Sequence, residues 1–111
     1  MPLDPWTLQW VASPVTREEG LRILKRDHFR CQYCGLDGKS SFENALVMRV
    51  DFVMPRARKG KKNSHNLVAC CYPCNALKGN RVFRGFEEAK AYVQARREAL
   101  HKAWESSRQM R

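Results

Sequence analysis

The chain has 111 residues, which allows one domain with a small core. Its residues are 43% hydrophobic and 29% charged, and these proportions exclude a disordered tail. Lysine and arginine number 21 against 11 aspartate and glutamate, and a net charge of +10 on so small a protein indicates a polyanionic partner, above all nucleic acid.

The sequence shows no signal for a membrane or for export. No apolar run approaches the ~18 residues that a membrane-spanning helix needs. The opening residues, Met1 to Pro5, lack the basic and apolar regions of a secretory signal. We therefore expect a cytoplasmic protein without a membrane partner, whose thiols stay reduced.

The N-terminal segment, residues 1–15, has the alternation of apolar side chains that is typical of a strand. These side chains are Trp6, Leu8 and Trp10. Two interpretations stay open, because the segment could cover the core of its own chain or form an aromatic contact with a second copy. The second interpretation would make the protein a homodimer.

Residues 16–84 predict a small α+β domain. Thr16 and Glu19 form the sequence of a helix capping box, and Gly79 has the position of a glycine that ends a helix. In chain order we expect a helix at 17–28, a loop at 36–44, a strand, a bend and a second strand within 45–54, a basic loop at 56–62, an apolar stretch at 67–70 and a short helix at 75–79.

Residues 85–111 predict a long amphipathic helix that packs on the same domain. Its expected buried stripe comprises Phe86, Ala89, Val93, Leu100 and Trp104. Its expected outer face carries the basic residues Lys90, Arg96, Arg97, Lys102 and Arg108.

Four of the five cysteines form two C-x2-C pairs. These are Cys31 with Cys34 and Cys71 with Cys74, and each pair can supply two thiolates to one tetrahedral ion. The alternatives are four buried cysteines without a metal, or a redox dithiol. We predict one structural zinc ion, because four thiolates leave no open coordination position for catalysis. The fifth cysteine, Cys70, is assigned to the core.

Positive charge is concentrated in the middle of the chain. Nine basic residues and one acidic residue, Asp51, lie between Arg49 and Arg84. This excess predicts contacts with phosphates, and a merely soluble basic loop is the alternative. The residues expected to bind nucleic acid are Arg56, Arg58, Lys59, Lys61, Lys62, Lys78 and Arg81. The isolated carboxylate of Asp51 among these cations could hold a divalent metal near a phosphate.

Three ordered segments contain the cysteine pairs, Asp51 and two asparagines. The segments are 24–35, 50–60 and 65–79. Together they resemble the zinc-containing HNH endonuclease family over about residues 20–84. The resemblance implies a ββα-metal fold, in which a two-stranded hairpin and a helix surround one catalytic divalent ion and the structural zinc joins hairpin to helix.

The resemblance also implies roles for individual residues. Asp51 matches the first ligand of a catalytic Mg²⁺ or Mn²⁺ ion, Asn75 matches the second ligand, and Asn66 matches the residue that holds the hairpin loop. From the residues alone, Asn66 could equally be a helix N-cap and Asn75 a polar cap of the short helix.

Phe52 departs from the family pattern. It stands where the family has the histidine that takes a proton from the attacking water, and a phenyl ring cannot accept a proton. Hydrolysis could continue slowly with metal-bound hydroxide or with another base. His65, next to Asn66, is the first candidate for that base, and an exposed loop histidine is the alternative interpretation.

Two functions of different classes follow. The first is an HNH-type metal-dependent DNA endonuclease or nickase, with Asp51, Asn66, Asn75 and His65 as its catalytic set. The second is a catalytically inactive, zinc-stabilised module that binds nucleic acid, which Phe52 and the basic segment favour. A zinc module that binds proteins is a third interpretation. DNA is preferred to RNA only through the resemblance.

Overall fold

A computed structural model describes residues 15–109 of the chain. The predicted strand with Trp6, Leu8 and Trp10 lies outside the described residues. The helices and strands are α1 (Arg17–Arg26), α2 (Phe42–Leu46), β1 (Met48–Phe52), β2 (Leu67–Cys71), α3 (Tyr72–Lys78) and α4 (Phe86–Arg108). They form a small mixed α+β domain with one antiparallel hairpin, which confirms the predicted fold class.

The hairpin joins two strands that are distant in sequence. β1 pairs with β2 in antiparallel register, with Asp51 opposite Val68, and residues 53–66 form the connecting loop. The prediction of two strands within 45–54 is therefore wrong, because the partner of β1 is the later apolar stretch. Part of the predicted loop at 36–44 is also helical, since the Ser41 side chain caps α2 by accepting a hydrogen bond from the Asn44 backbone N–H.

Helix α1 begins with the predicted capping box. The Thr16 hydroxyl accepts a hydrogen bond from the Glu19 N–H at 3.2 Å, and the Glu19 carboxylate accepts one from the Thr16 N–H at 2.8 Å. The helix ends two residues earlier than predicted. Asp27 turns the chain out of the helix and accepts a hydrogen bond from the Ala69 N–H of β2 at 2.8 Å, and His28 follows with a φ of 58°.

The core consists of three neighbouring clusters of buried side chains. One lies between the hairpin and α1 around Leu24, Met48 and Ala69. A second holds Phe52 among apolar residues near the start of α1. The third surrounds the cysteines and α4 and includes Cys70, which is fully buried as predicted.

Helix α4 is buried only along its first half. Ala89 and Val93 are fully buried, whereas Leu100 and Trp104 are each 52% exposed, so the prediction of a buried stripe is wrong for these two residues. The physical reason is length. The 23 residues of α4 extend over about 34 Å, and the 7-residue α3 against which α4 packs is far shorter. No helix in residues 15–109 is long and apolar enough to cross a membrane.

Truncation of the buried half of α4 is expected to destabilise the fold more than truncation of its exposed half. Val93→Ala should lower the free energy of unfolding by about 2 kcal/mol, because it leaves a cavity in a closed cluster. Leu100→Ala removes more carbon atoms from a half-exposed position and should cost no more than about 0.5 kcal/mol. Urea denaturation of both variants measures the difference, and equal losses would show that the whole stripe is buried.

Candidate functional site

The two cysteine pairs meet at one point. Cys31 and Cys34 lie in the turn after α1, Cys71 ends β2, and Cys74 lies in α3. All four Sγ atoms lie within 4.8 Å of one another, and those of Cys34 and Cys71 are 3.7 Å apart. A tetrahedral ion with metal–sulfur bonds of about 2.3 Å requires sulfur atoms about 3.8 Å apart. The four thiols can therefore hold a metal ion.

Backbone hydrogen bonds shape the turn that contains the first pair. Gly35 adopts a φ of 83° and donates its N–H to the Cys31 carbonyl at 2.8 Å. The Cys34 N–H points at the Cys31 sulfur at 3.4 Å, and the Gln32 N–H donates to the Ala69 carbonyl at 2.9 Å. This last bond fixes the turn against β2, the strand that ends in Cys71.

Mutual hydrogen bonds separate the pKa values of the four clustered thiols: those of Cys31 and Cys34 are lowered, and those of Cys71 and Cys74 are raised. Hydrogen bonds with the thiols of Cys31, Cys71 and Cys74 hold the pKa of Cys34 far below its ordinary value. The Arg97 guanidinium of α4 lies 3.6 Å from the Cys74 sulfur. The sequence placed Arg97 on the outer face and missed this contact, because helical periodicity carries no information about which neighbour a long side chain reaches.

Asp51 is buried and already has partners. The residue is 5% exposed, and its Oδ2 atom accepts a hydrogen bond from the Tyr33 hydroxyl at 2.6 Å. The ammonium of Lys78 lies 3.5 Å from the same oxygen. Burial raises the pKa of the Asp51 carboxyl, whereas the Lys78 charge and the Tyr33 hydrogen bond act in the opposite direction.

Lys78 faces the interior, which its place in a basic segment did not indicate. Its side chain is 1% exposed, and its ammonium also donates to the Phe52 carbonyl at 3.0 Å. An ammonium that is enclosed and paired with Asp51 does not offer its charge to a phosphate at the surface. Lys78 therefore does not fit the role of a surface phosphate contact, and it belongs to the surroundings of Asp51.

Phe52 points to the opposite side of β1 from Asp51, as successive residues of a strand do. Its ring packs in a cluster with Val15, Ile23 and Leu67. The position where the family resemblance places a proton-accepting histidine is therefore filled by a core side chain.

Asn66 holds together the loop between the two strands. Its Oδ1 atom accepts a hydrogen bond from the Met54 N–H at 2.7 Å, and its Nδ2 group donates to the Met54 carbonyl at 3.1 Å and to the Lys61 carbonyl at 3.0 Å. The residue precedes a strand, so the N-cap interpretation is wrong. Holding the loop agrees with the role that the resemblance implies.

Asn75 lies in α3 three residues before Lys78, so both side chains lie along the same face of the helix. The Asn75 carboxamide is partly exposed and makes no hydrogen bond with any residue between 15 and 109. His65 lies exposed in the loop before β2, and within the described residues its imidazole has no hydrogen bond or ion pair. Its role as a base stays a prediction.

The basic loop, residues 56–62, lies on the surface. Its start is a short 3-10 helix, Arg56–Arg58, and Lys59 follows in a left-handed conformation with a φ of 67°. Lys62 is paired with Glu19 at 3.0 Å. The side chains of Arg56, Arg58, Lys59, Lys61 and Arg81 are exposed, so they are free to meet a large anionic partner.

Comparison with known proteins connects this region to nucleases. The family model of the HNH endonucleases matches residues 31–81, the span from the first clustered cysteine to Arg81. The CRISPR-associated endonuclease Cas9 of Corynebacterium diphtheriae is 39% identical over 61 residues, which cover 54% of this chain and 5% of that protein. The chain thus matches only a small part of the Cas9 length. No solved structure gives a significant match.

Loss of one clustered thiol should remove the metal, whereas loss of the neighbouring thiol should not. Cys34→Ala is expected to lower the metal content from about one ion per chain towards zero and to lower the melting temperature, because three thiolates bind the ion far less tightly. Cys70→Ala is the matched control, since Cys70 lies outside the cluster. Elemental analysis of the two purified variants measures their metal content, and melting curves measure their melting temperatures. Metal retained in Cys34→Ala would contradict the assignment.

Proposed function

We propose that this chain, whose residues 31–81 match the family model of the HNH endonucleases, is a metal-dependent endonuclease or nickase that acts on DNA. One observation carries the proposal: the Asp51 carboxylate touches Lys78 of α3, one helical turn beyond Asn75. This contact supports a shared site for the two residues that the resemblance assigns to a catalytic ion, because it brings α3, which carries Asn75, against the strand that carries Asp51.

The ion in the thiol cluster is zinc in this proposal. Thiolate sulfur in a tetrahedral arrangement is the ligand set that zinc prefers, and four protein ligands leave no position for a substrate. The ion is therefore structural. Zinc adds on the order of 10 kcal/mol to the folding of zinc-finger peptides, which is large beside the core of a domain of this size.

Asp51 and Asn75 fit a second, divalent ion in their chemistry. A carboxylate and a carboxamide oxygen are the ligands that Mg²⁺ and Mn²⁺ prefer. When bound, such an ion supplies positive charge to the phosphate and acidifies the attacking water. Tyr33 would fix the carboxylate through Oδ2, and Oδ1 makes no hydrogen bond with the described residues. The basic loop would bind the phosphates on either side.

The phenyl ring of Phe52 cannot take the proton of the attacking water. A general base contributes about 10²- to 10⁴-fold, so the reaction should be slow and should speed up as the pH rises. We propose His65 as the substitute base, since it is exposed beside Asn66 and its imidazole is unpaired within the described residues. One chain holds one such site, so the expected product is a nick.

Conversion of supercoiled plasmid to its open form tests the catalytic proposal. The wild-type protein should nick slowly with Mg²⁺ or Mn²⁺, and faster at higher pH. Asp51→Asn keeps the volume and the Tyr33 contact but removes the charge that would hold the ion and that pairs with Lys78. In protein that melting curves show to be folded, nicking should fall by at least about a hundredfold.

His65→Gln in the same assay distinguishes hydrolysis with His65 as the base from hydrolysis by metal-bound hydroxide alone. If His65 is the base, the rate should fall about tenfold or more and its pH dependence should change. Wild-type protein that binds DNA without nicking it under any of these conditions would contradict the endonuclease proposal.

A second candidate is a zinc-stabilised module that binds nucleic acid without cleaving it. The observation that favours it is the ammonium of Lys78 at 3.5 Å from Asp51. A dication at Asp51 would lie beside this ammonium, and the repulsion between two cations at such a distance is strong in a buried site. Metal could bind there only if Lys78 moved away.

Lys78→Met distinguishes the two candidates. The variant leaves the Asp51 carboxylate buried without its ammonium, and the free energy of unfolding should fall by about 3 kcal/mol. If Asp51 is a metal ligand, millimolar Mg²⁺ should restore part of the loss, because the dication replaces the missing charge.

Melting curves of Lys78→Met with and without Mg²⁺ give the measurement. The double variant Lys78→Met/Asp51→Asn is the control, and Mg²⁺ should leave its melting temperature unchanged. If Mg²⁺ has no effect on the single variant either, Asp51 does not bind a divalent ion and the non-catalytic candidate stands.

A further inference from the structure

An open cleft lies between the basic loop, the residues that follow α3, and α4. Its volume is about 440 Å³. Three arginines from different parts of the chain line it: Arg58 from the basic loop, Arg81 after α3, and Arg96 from α4. No acidic residue of the described chain lines the cleft.

The three guanidinium groups differ from nearby cations in their ion pairing. None of them forms an ion pair with any residue between 15 and 109, whereas nearby cations do: Arg84 pairs with Glu88 at 2.8 Å and Lys102 with Glu98 at 3.5 Å. The sequence of α4 explains the difference for Arg96. The residues one turn away from it are Tyr92, Val93, Ala99 and Leu100, and none is acidic.

One of the three guanidinium groups is held in place by aromatic packing. The Arg81 guanidinium stacks over the Tyr92 ring at 4.9 Å from the ring centre. Tyr92 in turn packs against Phe83, with ring centres 5.4 Å apart. A guanidinium that is positioned before binding loses less conformational freedom when it meets an anion.

We infer that this cleft binds a phosphate of the nucleic-acid backbone. The inference rests on the proposed function and assigns part of its substrate site. Arginine presents parallel N–H groups that match phosphate oxygens. Three arginines that form no ion pair within the described part of the chain favour an anion with several acceptors.

The location of the cleft suggests that this phosphate would help to position the nucleic-acid strand. Lys78 also lines the cleft, and its ammonium lies 3.5 Å from the Asp51 carboxylate. A phosphate in the cleft would therefore be separated from the candidate catalytic carboxylate by the side chain of Lys78. Arg96 lies outside residues 31–81, so α4 adds a substrate contact beyond the span of the family model.

The test compares charge removal inside and outside the cleft. Arg58→Gln, Arg96→Gln and the double variant are titrated with a short DNA duplex over a series of salt concentrations. Arg22→Gln on α1 is the matched control, because Arg22 is also exposed and without an ion pair among the described residues. Melting temperatures should be unchanged in all four variants, since no ion pair is lost.

Each single variant in the cleft should weaken duplex binding roughly tenfold. The double variant should reduce the slope of log K against log[salt] by about 0.9, the value for one phosphate contact, and each single variant should reduce it by less. The double variant should lose less than the product of the two single losses, because both arginines hold one phosphate. Equal losses in Arg22→Gln and the cleft variants would overturn the inference, since the effect would then be one of net charge.

Side-chain NMR signals of the arginines distinguish a backbone phosphate from a free one. The duplex should shift the Arg58 and Arg96 signals and leave that of Arg22 in place. Shifts with inorganic phosphate but not with duplex would overturn the inference.

If the affinity of the protein for the duplex depends on Arg56 and Lys61 but not on the arginines of the cleft, the inference is overturned. The proposed function would still stand in that case. A wild-type protein that does not bind the duplex at all would remove the proposed function itself, and with it this inference.

Discussion

The meeting of four thiols is the constraint on which the rest of this small structure depends. It joins the turn after α1 to the end of β2 and the start of α3, which lie 37 residues apart between Cys34 and Cys71. Because β2 ends at Cys71 and α3 begins at the next residue, holding Cys71 and Cys74 together sets the direction of α3 against the hairpin. That direction brings Lys78 to Asp51. A geometry that a small apolar core would define loosely is thus set where the four thiols meet.

The Asp51–Lys78 pair that results has two opposite consequences for function. The ammonium satisfies a carboxylate that is taken out of water, and removal of either partner would leave an isolated buried charge. The same ammonium occupies the space where a dication would approach Asp51. Tyr33 completes the arrangement by donating to the same carboxylate oxygen at 2.6 Å. In the proposed endonuclease, stability and metal affinity would therefore compete at Asp51, and Phe52 would offer no proton acceptor on the same strand.

The parts that could be predicted from the sequence are those specified over short distances. The two C-x2-C pairs and the capping box at Thr16 depend on local spacing, and they are present in the structure. The hairpin partner of β1 and the burial of Lys78 depend on contacts between distant residues, for which a lysine in a basic run gives no signal. The exposure of Leu100 has a similar origin, because periodicity identifies an apolar face but not the length of the element that covers it.

Helix α4 links the thiol cluster to the basic surface through two adjacent arginines. Consecutive residues of an α-helix project about 100° apart, so Arg96 and Arg97 face different neighbours. Arg97 reaches the Cys74 sulfur, and Arg96 lines the cleft with Arg58 and Arg81. The burial of Ala89 and Val93 fixes the rotation of the helix and hence both directions. The thiol cluster and the arginine cleft are therefore not independent, since a helix that turned to release Arg97 from Cys74 would also withdraw Arg96 from the cleft.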